Sequence, residues 1–219
     1  MLPPVTSLIV TVDGPGGTGK STVSRAVAEK AGLPHLDTGA FYRAATLAVL
    51  EAGADPSSTV EVTPIVAGLH LSQEDGRMYM DGRDVSEQIR SEDVTAAVSA
   101  VSAHPEVRAI LVGEQRSWVE EHGGRAVVEG RDIGSVVFPD AEVKIFLDAS
   151  AEVRAARRAR QTGESLDEVL DDLNRRDRLD STRATSPMTV PDGAVVVDTS
   201  DLGFEEVVDR LLELVGAKS

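Results

Sequence analysis

The stretch Gly14 to Ser21, GPGGTGKS, combines four glycines with one lysine and one serine at the spacing GxxxxGK[ST]. It follows the apolar run SLIVTV and precedes Val23, Ala26, Val27 and Ala31 at helical spacing, which is the strand-to-helix context a phosphate-binding loop requires. Bare backbone lets successive N–H groups point inward and permits the positive φ angles that curl a loop around a phosphate. A helix starting near Gly19 adds unpaired N–H groups and the positive end of its dipole. The chemistry this supports is binding of a nucleoside triphosphate, with Lys20 reaching the β and γ phosphates and Ser21 offering its hydroxyl to Mg²⁺.

Such a loop serves GTPases, motor ATPases and small-molecule kinases alike. A GTPase reading lacks support: apart from Asp13 no aspartate is followed by glycine three positions on, and the single asparagine, Asn174, lies in a charged helical pattern rather than at a strand end. A kinase needs a second anion site with cationic forks for the acceptor. Candidate forks stand in L36-D-T-G-A-F-Y-R43, where the first turn of a helix would carry Tyr42 and Arg43, in V128-E-G-R-D-I-G134, and in R176-D-R-L-D-S-T-R183. The second stretch would deliver Arg131 and Asp132 to the carboxyl end of a strand, where open parallel sheets bind ligands. The plain alternative for these two residues is a structural ion pair at a strand end, and by pattern alone Ser99 and Arg108 read as helix-surface residues. The four histidines have no metal-ligand spacing, and Trp118, Met78 and Met80 read as packing groups.

Apolar runs and helical patterns alternate along the chain, implying an α/β fold with a central parallel sheet flanked by helices. Strands are expected at Leu8 to Val12, before Asp37, at Ala126 to Gly130, at Val143 to Ala149 and at Ala194 to Ser200, with a closing amphipathic helix from Phe204. Between Leu69 and Val85 two DG turns, at Asp75 and Asp81, interrupt the alternation and predict small antiparallel hairpins. The 219 residues suit one unit with a sizeable core, and the absence of cysteine removes disulfides and thiolate chemistry. A formal charge of −15 disfavours a nucleic-acid polymer or an anionic membrane as partner. Arg154 to Arg183 departs from this acidity, with eight arginines against seven carboxylates, and helical pairs Asp171 with Arg175 and Asp172 with Arg176 are expected there. The amino terminus lacks a signal pattern and no apolar run reaches membrane-spanning length, so a cytoplasmic protein is expected.

Taken together, the loop, DTGAFYR, the hairpin stretch, AVSAVSAHPEVR, EGRDIGSVVFPDAEVKIFLDAS and RRDRLDSTR resemble the bacterial cytidylate kinases, members of the nucleoside monophosphate kinases with a P-loop. The resemblance covers nearly the whole chain. It implies ATP-dependent phosphorylation of CMP and dCMP by a monomer, with Mg²⁺, and a core at about 1–60, 91–150 and 190–219. An acceptor-binding insertion at about 61–90 and an arginine-rich helical lid at about 151–189 complete the implied single kinase unit. By the same resemblance Gly14, Pro15, Gly16, Gly17, Thr18, Gly19, Lys20, Ser21 and Thr22 hold the donor phosphates, and Thr38, Arg43 and Arg131 the acceptor phosphate, with Tyr42 a further substrate-binding residue. Ser99, Arg108 and Asp132 match positions that read cytosine, and Arg176, Asp180 and Arg183 match lid and sugar-contact positions. Lys20, Arg131 and Arg183 are the implied catalytic cations. Thr38 and Glu129 stand where some members carry serine and aspartate. A kinase for another monophosphate, or a nucleotide-responsive binding module without an acceptor, remains open on the residues themselves.

Overall fold

A computed structural model describes residues 7–183 and 185–217. Eight strands and eight helices are present among them: β1 (Leu8–Asp13), α1 (Lys20–Ala31), β2 (His35–Asp37), α2 (Thr38–Glu51), α3 (Thr59–Ala67), β3 (Leu71–Glu74), β4 (Arg77–Met80), β5 (Arg83–Asp84), α4 (Glu92–Val101), α5 (Pro105–Glu121), β6 (Arg125–Glu129), β7 (Val143–Asp148), α6 (Ala151–Thr162), α7 (Leu166–Ser181), β8 (Val195–Asp198) and α8 (Phe204–Gly216). The chain forms two compact units, one of the described residues up to His35 and from His122 onward, the other Leu36–Glu121.

The first unit is built on the strands β6-β1-β7-β8, side by side in that order, in which β1 runs parallel to β6 and β7, and β7 to β8. The central strand β1 buries Leu8, Val10 and Val12, which pack with Val23, Val27, Val127, Ile145, Leu147, Val208 and Leu211 in one cluster. This β-branched continuity is what a strand covered on both faces demands. Helices α6 and α7 pack on each other around a small cluster of their own, Ala155, Val169 and Leu173.

In the second unit α2 packs against α3, α4, α5 and β4, and Phe41, Val49, Val62, Val66, Ile89, Val107 and Leu111 are buried. The predicted hairpins are there: β3, β4 and β5 form an antiparallel sheet, with Leu71 opposite Met80 and Tyr79 opposite Asp84. Both DG pairs take positive φ, Asp75 at 48° and Gly76 at 75°, Asp81 at 51° and Gly82 at 78°, as tight primed turns require. Helix α2 begins at Thr38, capped by the Asp37 carboxylate on Ala40 N at 3.2 Å. Tyr42 and Arg43 therefore lie in its second turn, not the first.

Candidate functional site

In the first unit, β1 runs directly into the glycine loop and α1 starts at Lys20 with Gly19 as its left-handed cap, φ 88°. Gly14 has φ 143°, and a Cβ on it would lie 2.0 Å from the Leu147 carbonyl oxygen. A side chain at this position would push the loop off the sheet. Arg154 of α6 holds the other side of the loop: it donates to Gly16 O at 3.0 Å and Ala149 O at 3.1 Å and pairs with Asp177 at 2.6 Å. Arg157 donates to Thr199 O at 2.6 Å and Thr199 Oγ1 at 3.0 Å, close to Thr18 O at 3.5 Å. Neither arginine carries a pattern that distinguishes it from a solvated helical residue, so sequence reasoning passed over both.

Lys20 is buried, and its ammonium donates to Pro15 O at 2.6 Å. Burial pushes its amine down to about 7, the repulsion of Arg131 adds to this, and Glu129, Asp13 and Asp177 oppose it. Thr18 donates to the same carbonyl at 3.2 Å. Ser21 and Thr22 are exposed at the head of α1, and the Ser21 hydroxyl donates to Glu129 Oε2 at 2.9 Å. Glu129 is itself buried at the end of β6, with His35 Nε2 3.3 Å from its other oxygen. Among the described residues, no group of three or more His, Cys, Asp or Glu side chains could hold a metal.

Arg131 and Asp132 follow β6, as expected of a strand end. The ion pair is not between them: Arg131 Nε meets Asp180 Oδ2 at 3.0 Å, and Arg183 donates to Asp180 Oδ1. A shared carboxylate thus gathers Arg131 and Arg183 with the carboxyl end of α7. Asp132 is buried, and its carbonyl accepts from Val136 N at 2.9 Å and from Val137 N, five residues on, at 3.3 Å, the second bond opening a single π turn, Ile133–Val137. Asp13, absent from the sequence-based candidates, accepts from Ile133 N at 2.7 Å and Gly134 N at 2.8 Å. Burial raises its carboxyl to about 6 against the pull of those two amides. Arg176 is tied to Asp172 at 2.9 Å, as spacing predicted, but Arg175 takes Asp172 at 2.7 Å instead of the expected Asp171, because residues three apart are also neighbours on a helix.

In the second unit Thr38 is buried at the start of α2, and Arg43 donates to Thr95 Oγ1 at 3.0 Å and Ile89 O at 3.4 Å. Arg108 overturns its surface reading. It is only 4% exposed, stands 5.4 Å from the Tyr42 ring centre and donates to Ser102 O at 3.5 Å. Its position on α5 faces inward because Val107, Leu111 and Trp118 are buried on the same helix. Ser99 of α4 is half-buried, its carbonyl accepting from Ser102 Oγ at 3.2 Å.

A glycine loop between the first strand of a parallel sheet and a helix, with a buried lysine and guanidinium groups at the strand ends, defines a P-loop kinase, a class of phosphotransferase. The fold agrees with a sugar kinase from Janibacter sp. HTCC2649, which is 17% identical at a TM-score of 0.50, over 96% of this chain and 95% of that one. The profile of the cytidylate kinase family matches residues 10–217, and the chain belongs to that family. Proteins named cytidylate kinase from Rhodococcus opacus (strain B4) and Mycobacterium leprae (strain Br4923) are 53% and 50% identical to it; the first match covers 97% of this chain and 96% of the relative, the second 98% of each. The family resemblance read from the sequence therefore holds, and no described helix is long and apolar enough to cross a membrane.

Proposed function

We propose that this chain transfers the γ-phosphoryl group of ATP to the phosphate of CMP and dCMP, giving CDP and dCDP, as a cytoplasmic monomer in pyrimidine nucleotide metabolism. The observation that carries this reading is the buried Lys20 held beside Arg131, whose repulsion helps depress the lysine. A buried amine and a partly exposed guanidinium close enough to repel it are both stabilised by a polyanion placed between them. Gly14 to Thr22 would grip the donor phosphates, and Arg131 and Arg183 would leave Asp180 in part to face the transferring group. Asp180 would then accept from the acceptor's sugar, with Arg176 beside it, and residues 151–189 would act as the lid.

Ser21 and Glu129 fit Mg²⁺. The hydroxyl proton is directed at Glu129 Oε2 at 2.9 Å, which leaves the lone pairs of Oγ for a hard cation. When bound, the ion neutralises charge on the phosphate oxygens. Ser21 would hold it and Glu129 would orient Ser21.

The second unit would supply Thr38, Tyr42 and Arg43 for the acceptor phosphate and Ser99 with Arg108 for the base, its hairpin stretch at about 61–90 closing on the acceptor. Asp132 would accept from the exocyclic amine of cytosine. A nucleoside monophosphate is largely dianionic at neutral pH, its second pKa being about 6, so its oxygen attacks without a general base. Catalysis would consist of alignment, Mg²⁺ and positive charge around the γ-phosphoryl group.

Steady-state phosphorylation of a panel of monophosphates tests the reading. CMP and dCMP are expected to be used at least about a hundredfold better than UMP or dTMP, the discrimination a buried hydrogen-bonding site supplies. Preference for UMP or dTMP, or phosphate release from ATP that CMP leaves unchanged, would reject it. Asp132→Ala is expected to weaken CMP use by about tenfold or more while ATP affinity stays within about twofold, because the acceptor's amine loses a charged partner and the donor loop keeps its own. Equal loss of both would remove Asp132 from base recognition.

A further inference from the structure

Arg131 and Asp132 form a two-residue platform, and its backbone is tied on both sides to the end of one strand. Before it, Gly130 N donates to Val12 O at 3.0 Å. After it, the consecutive amides of Ile133 and Gly134 donate to the two oxygens of Asp13, at 2.7 and 2.8 Å. Gly134 sits so close to β1 that a Cβ on it would lie 2.7 Å from Thr11 Oγ1. Asp13 is fully buried, and the next residue is Gly14, the first of the donor loop.

The geometry points to Asp13 as a positioning residue that sets where Asp132 and Arg131 stand, and so makes base discrimination depend on a side chain that touches neither substrate. A carboxylate suits this role because it is acceptor-only and presents one oxygen to each of two adjacent N–H groups. An amide cannot do so, since its NH₂ would face one of those N–H groups. Because Asp13 and Gly14 are neighbours in the chain, the same residue keeps the platform in register with the donor loop. This inference rests on the proposed role of Asp132 in reading cytosine. The comparison of CMP use with ATP affinity in Asp132→Ala checks that role independently.

Asp13→Asn tests the inference. The ratio of kcat/KM for CMP to that for UMP is expected to fall by about tenfold or more, since a displacement on the order of 1 Å away from the chemistry can lower a rate by about a hundredfold. The Kd of a non-hydrolysable ATP analogue is expected to stay within about threefold. A folded variant with the wild-type preference, or one that loses donor affinity as much as CMP use, would overturn the inference. If Asp13→Asn does not fold, Asp13→Ser keeps one acceptor, and its CMP preference should fall in the same direction. In the wild type, amide hydrogen exchange at Ile133 and Gly134 should be as slow as in the core of β1; exchange of both at exposed-loop rates would also overturn it.

Discussion

Lys20→Met is expected to lower turnover of ATP and CMP by about a thousandfold while making the ligand-free protein more stable at neutral pH. The first effect follows from the proposed role of Lys20, a cation that would face the charge developing on the transferring phosphoryl group, where one donor is worth about 10² to 10³ in rate. The second follows from burial. Lys20 is 7% exposed, and its folded-state value of about 7 lies below the unfolded 10.5. Below pH 7 the amine is charged in both folded and unfolded chains, and the full penalty of burying an ammonium beside Arg131 is present. Between about 7 and 10.5 the folded chain binds fewer protons than the unfolded one, so this penalty fades as pH rises. Methionine fills a similar volume without the charge and should gain on the order of 2 kcal/mol at pH 6.5. Denaturant unfolding at pH 6.5, 8 and 9.5 measures the gap between the two proteins, which should narrow with rising pH. No gain at pH 6.5, or a gap that widens toward pH 9.5, would show that the folded site stabilises the ammonium already.

The parts of this molecule legible in its sequence are those written in local chemistry. GPGGTGKS requires a loop of that kind because glycine alone tolerates φ 143° at Gly14 with the Leu147 carbonyl behind it. The DG turns at Asp75 and Asp81 fix hairpins for the same reason. The strands β1, β6, β7 and β8 announce themselves as apolar runs, each within a residue or two of its observed ends. What escaped is set by tertiary placement. Helix α3 contains Pro64, which reads as a breaker, although in a nine-residue helix only one backbone bond is lost. Arg108 reads as surface because spacing along a helix does not reveal which side a neighbour covers. Arg154 and Arg157 reach loop carbonyls more than a hundred residues away in sequence, and nothing in their own segment separates them from Arg158 or Arg160. Asp13 was visible only as the residue before a glycine, since its role depends on two amides supplied by the turn that follows the neighbouring strand β6. The arginine-rich stretches pointed to anion chemistry as a class, while the division of labour within them, with Asp180 gathering Arg131 and Arg183, is a property of the folded chain.

Arg131→Ala should therefore separate function from stability. The Arg131 side chain is 32% exposed and shares Asp180 with Arg183. Removing it leaves that carboxylate paired, and a partly exposed ion pair contributes only about 0 to 1 kcal/mol. The unfolding midpoint is expected to move little, and slightly upward where the loss of repulsion on Lys20 outweighs the lost pair. The effect on kcat/KM for CMP should be far larger, about a hundredfold or more, because truncating a charged hydrogen-bonding partner of a desolvated phosphate costs roughly 2 to 5 kcal/mol. Arg131→Lys should recover only a minor part of this loss. An ammonium restores the charge but not the planar fork that can grip two oxygens of a phosphate as it passes from Asp180 to the substrate. Rates and unfolding midpoints of both variants decide the matter together. A variant that loses stability and rate in proportion would make Arg131 a structural tie to α7, whereas a large loss of rate on an unchanged fold is the behaviour of a guanidinium held by Asp180 until a phosphate takes its place.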